Sequence, residues 1–89
     1  MAHEKIISDI MQRIEDAAYH HRENFPAEVR GILKSIVDTG GKIEVVVEVG
    51  ERLLNQLGSK PLWMNPLRKS ATKEVIDFLG EKALEDRKS

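Results

Sequence analysis

Two acidic pairs are the residues best placed to do chemistry: Glu48-Val49-Gly50-Glu51 and Glu74-Val75-Ile76-Asp77. On a helix, Glu44, Glu48, Glu51 and Asn55 share one polar stripe, and Glu74, Asp77 and Glu81 repeat it further along the chain. Carboxylates on two facing helices supply the hard oxygen ligands that Mg²⁺ or Mn²⁺ requires, and such a metal grips a triphosphate and activates water. A second constellation, Asp16, His20 and Glu23, follows i, i+4, i+7 spacing, which one metal ion can bridge. There is no cysteine, which removes disulfides, thiol nucleophiles and every Cys-based zinc site. No serine, histidine and acid arrangement stands out, and Gly40-Gly41 reads as a helix stop rather than a phosphate loop.

The order ExxE on one helix and ExxD on the next resembles the MazG-like all-α nucleotide pyrophosphohydrolases. That resemblance covers the two tetrapeptides and the helical class. It implies metal-dependent hydrolysis of nucleotides, with Mg²⁺ or Mn²⁺ held by Glu48, Glu51, Glu74 and Asp77. Taken without it, the same residues are two solvated helix faces.

The segment GSKPLWMNPLRKSATK is the one polarised stretch: residues 58–73 hold 4 basic and no acidic side chains, against 7 basic and 10 acidic before it. It contains the only tryptophan, beside methionine and leucine and between prolines. Tryptophan and arginine concentrate at binding hot spots, so Trp63, Met64, Arg68 and Lys69 are expected to meet a partner protein. The same mixture can stack on single-stranded nucleic acid, although four cations without a wider basic face make a weak electrostatic anchor. In the plainest reading Trp63 plugs the end of a bundle and the lysines are solvated.

The elements that must position these residues follow from apolar spacing. Ile6, Ile7, Ile10, Met11, Ile14, Ala17, Ala18 and His21 make one helical stripe, and Val29, Ile32, Leu33, Ile36 and Val37 make a second. Four helices are expected, at about 3–22, 26–38, 42–57 and 66–85, in an all-α four-helix bundle. The third is contested, because Ile43, Val45, Val47 and Val49 also alternate like a strand. Helical spacing fits Ile43, Val46, Val47, Gly50, Leu53, Leu54 and Leu57, whereas the alternation stops at Gly50. An extended 42–50 would also need a second chain for its backbone partners. In the last helix Leu67, Ala71, Val75, Ile76, Leu79, Ala83 and Leu84 are expected to face inward. Gly31, Gly50 and Gly80 fall inside helices, where close helix approach is their expected use.

The chain of 89 residues reads as one domain, 1–89, with 33% charged residues and a net charge of −1. That balance recruits neither DNA nor an anionic membrane through a global field. The N-terminal stretch alternates charged and apolar residues, so neither a signal peptide nor a membrane span is expected, and the cytoplasm is the default setting. A core this small is only modestly stable alone. The stripe of the first helix looks wider than three partner helices require, so self-association as a homodimer is expected, with Ile7, Ile14 and Leu54 at or near the seam. Together these features describe a small non-catalytic helical interaction module, suited to regulating or inhibiting a larger assembly.

Overall fold

Each of the four amphipathic stretches forms a helix. A computed structural model describes residues 2–88, with side chains described from Glu4 to Glu85. Helix α1 spans Ala2–His20, α2 Phe25–Asp38, α3 Ile43–Asn55 and α4 Asn65–Lys88. Short 3₁₀ turns at Arg22–Asn24 and Leu62–Met64 lead into α2 and α4. There is no strand among the described residues, so the contested third segment is helical, as its spacing predicts. Among the described residues no helix is long and apolar enough to cross a membrane.

The core is built from Ile7, Ile10, Ile14, Ala17 and Ala18 of α1, Phe25, Val29, Leu33 and Ile36 of α2, and Val45, Val46, Val49 and Leu53 of α3. Met64 and, from α4, Ala71, Val75 and Phe78 complete it. Most of the α1 stripe is therefore covered within the protomer, while Ile6 remains 48% exposed. Ile7 and Ile14, expected at a self-association seam, are buried, whereas Leu54 is exposed. Helices α2 and α3 both pack against α1, and together they use most of the width that looked surplus.

The turns are set by local hydrogen bonding. Gly40 takes a positive φ of 85°, which an L side chain adopts only at a cost. Its N–H donates to the Val37 carbonyl at 3.1 Å and the Gly41 N–H donates to the Ile36 carbonyl at 2.8 Å. This pair is the Schellman arrangement, which satisfies carbonyls that the end of α2 would otherwise leave bare. At the far end of α3, the Gly58 N–H donates to Asn65 Oδ1 at 3.1 Å, so the loop closes onto the first residue of α4.

Two helices are rotated from the expected faces. In α3 the inward residues are Val45, Val46, Val49, Gly50 and Leu53, while Ile43, Val47 and Leu54 are exposed. In α4, Phe78 and Thr72 point inward, and Ile76 and Leu84 point to solvent. Ion pairs mark the rotation: Arg52 of α3 reaches Glu4 of α1 at 2.6 Å, and Arg30 of α2 pairs with Glu74 and Glu81 of α4.

The close approach of α3 to α4 runs through Gly50. A Cβ there would lie 2.8 Å from Val75 Cγ1, whereas one at Gly31 or Gly80 would meet nothing within 4 Å. Only Gly50 therefore has the close-packing role expected of all three. Gly31→Ala and Gly80→Ala should each stabilise by about 1 kcal/mol, the helix propensity of alanine over glycine. Gly50→Ala should not, because Val75 must shift inside the core. Urea midpoints on the three variants check the contrast in sign, and a gain at position 50 equal to that at 31 would refute it.

Candidate docking surface

The exposed aromatic residues come together at one end of the bundle. Tyr19 lies on the polar side of α1, one residue before its end, and Trp63 sits in the 3₁₀ turn that leads into α4. Their rings meet edge to face with centroids 5.1 Å apart. The Arg22 guanidinium lies over the Trp63 ring, 4.4 Å from its centroid, and Arg22 Nε donates to the Ala18 carbonyl at 3.2 Å. Backbone anchorage and cation–π attraction thus fix the arginine, and the arginine and tyrosine fix the indole. Trp63 is still 41% exposed, and its neighbour Leu62 is 62% exposed.

A cleft of about 530 Å³ opens among the same elements, with Met11, Ile14, Ala18, Phe25 and Met64 contributing apolar walls and Lys60 and Arg68 basic groups. Arg68 is 7% exposed. Its Nη1 donates to the Ser59 carbonyl at 2.6 Å and to Asn65 Oδ1 at 3.0 Å, and Nη2 donates to the Lys60 carbonyl at 3.5 Å. No carboxylate pairs with it among the described residues, and its Nε has no partner. A planar fork that reaches several acceptors at once suits this task. Arg68 is a loop clamp.

The expected partner-binding set therefore divides. Trp63 and Lys69 face solvent, while Met64 and Arg68 are buried within the protomer. Tyr19, Arg22 and Leu62 belong to the surface and were not predicted. The available signal for Tyr19 was a large aromatic residue standing off the apolar stripe of α1.

The acidic pairs do not assemble. Glu48 lies 3.7 Å from Arg52 Nε in its own helix, and Glu74 lies 3.2 Å from Arg30 Nη1 on the α2 side of α4. Glu51 and Asp77 are exposed. The two pairs thus point to different faces rather than across the α3–α4 contact. Asp16 accepts a hydrogen bond from Gln12, and α1 ends at His20, so Glu23 leaves the helical register that would have aligned it. Among the described residues no three His, Asp or Glu side chains stand close enough to hold a metal ion. Neither Glu48, Glu51, Glu74 and Asp77, expected to hold Mg²⁺ or Mn²⁺, nor Asp16, His20 and Glu23, expected to bridge a metal ion, come together as a donor set among the described residues.

Electrostatics here tie helices together. Glu4, hydrogen-bonded to Arg52, raises the pKa of that guanidinium above its ordinary value; partial desolvation opposes the shift and Glu48 adds to it. Exposed pairs of this kind add little stability individually; this one marks the side of α3 that faces α1. No family model, no curated protein and no solved structure matches the chain.

Proposed function

We propose that this protein is a small, non-catalytic helical module of the cytoplasm that docks onto another protein through its Tyr19–Arg22–Leu62–Trp63 end, and regulates or inhibits a larger assembly by covering part of it. The observation that carries the reading is the fixed indole of Trp63, held by Tyr19 and Arg22 yet 41% exposed. A rigid aromatic surface loses little conformational entropy on binding, which is why tryptophan, tyrosine and arginine dominate hot spots. The neighbouring cleft can take an apolar side chain of the partner, and Arg22 and Lys60 favour acidic residues around that anchor. A nucleic-acid role is less well supported, because Arg68 is buried and clamped; the cations of 60–73 therefore do not make one phosphate-binding row.

Affinity capture from an extract of the source cells tests this reading. The natural chain, Trp63→Ala and a Lys34→Ala control are compared after circular dichroism shows that all three are folded. The partner should be retained by the natural chain and by the control, with at least tenfold less on Trp63→Ala, in line with a hot-spot loss of about 2 kcal/mol. Equal retention of the same proteins by all three would refute the assignment.

A further inference from the structure

We infer that a second copy of this chain covers the outer face of the α3–α4 pair, giving a two-fold symmetric dimer. The inference deepens the interaction-module reading by naming a partner, on a face separate from the Trp63 end. Its starting point is apolar surface left uncovered along two adjacent helices: Ile43 and Val47 are each 41% exposed, Leu54 52% and Ile76 62%. In α3, Ile43, Val47, Gly50 and Leu54 are separated by alternating steps of four and three residues. That alternation is the pattern of a helix that meets another helix along its length.

The four exposed residues belong to one face. On α3, Arg52 turns to α1 through Glu4, and Gly50 lies against Val75 of α4. With successive residues about 100° apart, Ile43, Val47 and Leu54 fall just past Gly50 on the side away from α1. On α4, Glu74 and Glu81 turn to α2 through Arg30. Ile76 stands about 100° from Val75 in the opposite sense to Glu74, again on the outer side. Because glycine at position 50 lets the two helices approach, the two rows adjoin.

Charge selects the occupant. Continuing around α3, the apolar row is bordered by Glu44 and Glu51; continuing around α4, it is bordered by Lys69 and Lys73. All four are exposed, and none takes part in an ion pair among the described residues. The α3 margin is acidic, and the α4 margin carries the two lysines, with the exposed Asp77 a further step around beyond Lys73. A two-fold axis parallel to the helices lays α4 of the second copy over α3 of the first, so each acidic margin meets a basic one. The Gly50–Val75 contact sets the level of the helices and brings Glu51 beside Lys73 of the second copy. An anionic membrane would be repelled by Glu44 and Glu51, and an unrelated helix would have no reason to match both margins.

Sedimentation equilibrium on the full chain tests the proposal. The natural chain of 10.1 kDa should show twice that mass at high micromolar concentration. Glu51→Lys and Lys73→Glu, both at exposed positions, should each weaken self-association tenfold or more. Mixed in equal amounts, the two variants should form a heterodimer, since lysine at 51 then faces glutamate at 73 and the remaining pair keeps its natural signs. Trp63→Ala should leave the mass unchanged, so loss of the docking partner and loss of the dimer are read separately. A natural chain that stays monomeric, single variants that associate normally, or a mixture that fails to associate would each overturn the inference.

Discussion

Arg68→Ala is expected to cost about 3 kcal/mol of folding free energy, since hydrogen bonds to a charged donor contribute roughly 1.5–3 kcal/mol each and are not fully additive. For a domain of this length the loss corresponds to a fall of roughly 12–20 °C in the melting midpoint. The guanidinium holds three acceptors at once: the Ser59 and Lys60 carbonyls and Asn65 Oδ1. Asn65 in turn receives the Gly58 N–H, so one side chain organises the whole return from α3 to α4. Arg68→Lys should recover only part of the loss, because an ammonium on a flexible stem cannot present a planar fork. Lys69→Ala, one residue on and exposed, should stay within about 0.5 kcal/mol of the natural chain. Thermal melts of the three variants make the comparison, and an Arg68→Ala midpoint within a few degrees of the natural one would remove the clamp from the account.

The Arg68 clamp also explains why the docking surface was only half legible in the sequence. Trp63, Met64, Arg68 and Lys69 share a composition, and composition does not say which way each side chain turns. Trp63 and Met64 are adjacent, yet the 3₁₀ turn puts one outside and the other in the core. Tyr19 and Arg22 lie some forty residues earlier, and only the packing of α1 beside the loop brings them to the indole. A hot spot assembled from two distant segments leaves no local pattern to read.

The helices themselves were legible because their periodicity is strong, and the faces of α3 and α4 were not, for a specific reason. Helix α3 carries two overlapping apolar rows, Val45/Val49 and Ile43/Val47/Leu54, flanking a shared row of Val46, Gly50 and Leu53. Both combinations satisfy helical spacing, so periodicity cannot choose between them. The choice is made by long-range packing: Val45 and Val49 fill the shared core, Gly50 admits Val75, and the Arg52–Glu4 pair falls in line with that rotation. Phe25 and Phe78 were missed as core residues for a related reason. Phe25 sits between the punctuating Asn24 and Pro26, where a loop residue is expected. Phe78 belongs to a stripe whose nearest members are only an alanine and a valine, Ala71 and Val75, and Ile76 beside it offered a more conspicuous alternative.

Gly41→Ala is expected to cost about 3 kcal/mol, combining steric overlap of roughly 1–3 kcal/mol with loss of a hydrogen bond worth about 1 kcal/mol. A Cβ at this position would fall 2.5 Å from the Ile36 carbonyl oxygen and 2.6 Å from Ile36 Cγ2. The first of these is backbone, and it is the oxygen that accepts the Gly41 N–H, so relief of the clash must open the end of α2. Gly40→Ala meets nothing in space and should cost only the left-handed backbone penalty of about 1–2 kcal/mol. Urea unfolding separates the two variants, and equal midpoints would mean that the turn relaxes around the new methyl without loss. The consequence reaches beyond stability, because this turn sets the angle at which the chain enters α3. Native hydrogen exchange on Gly41→Ala should therefore show amides at the start of α3 opening more readily than those of α1, since the turn is the link through which the chain enters α3.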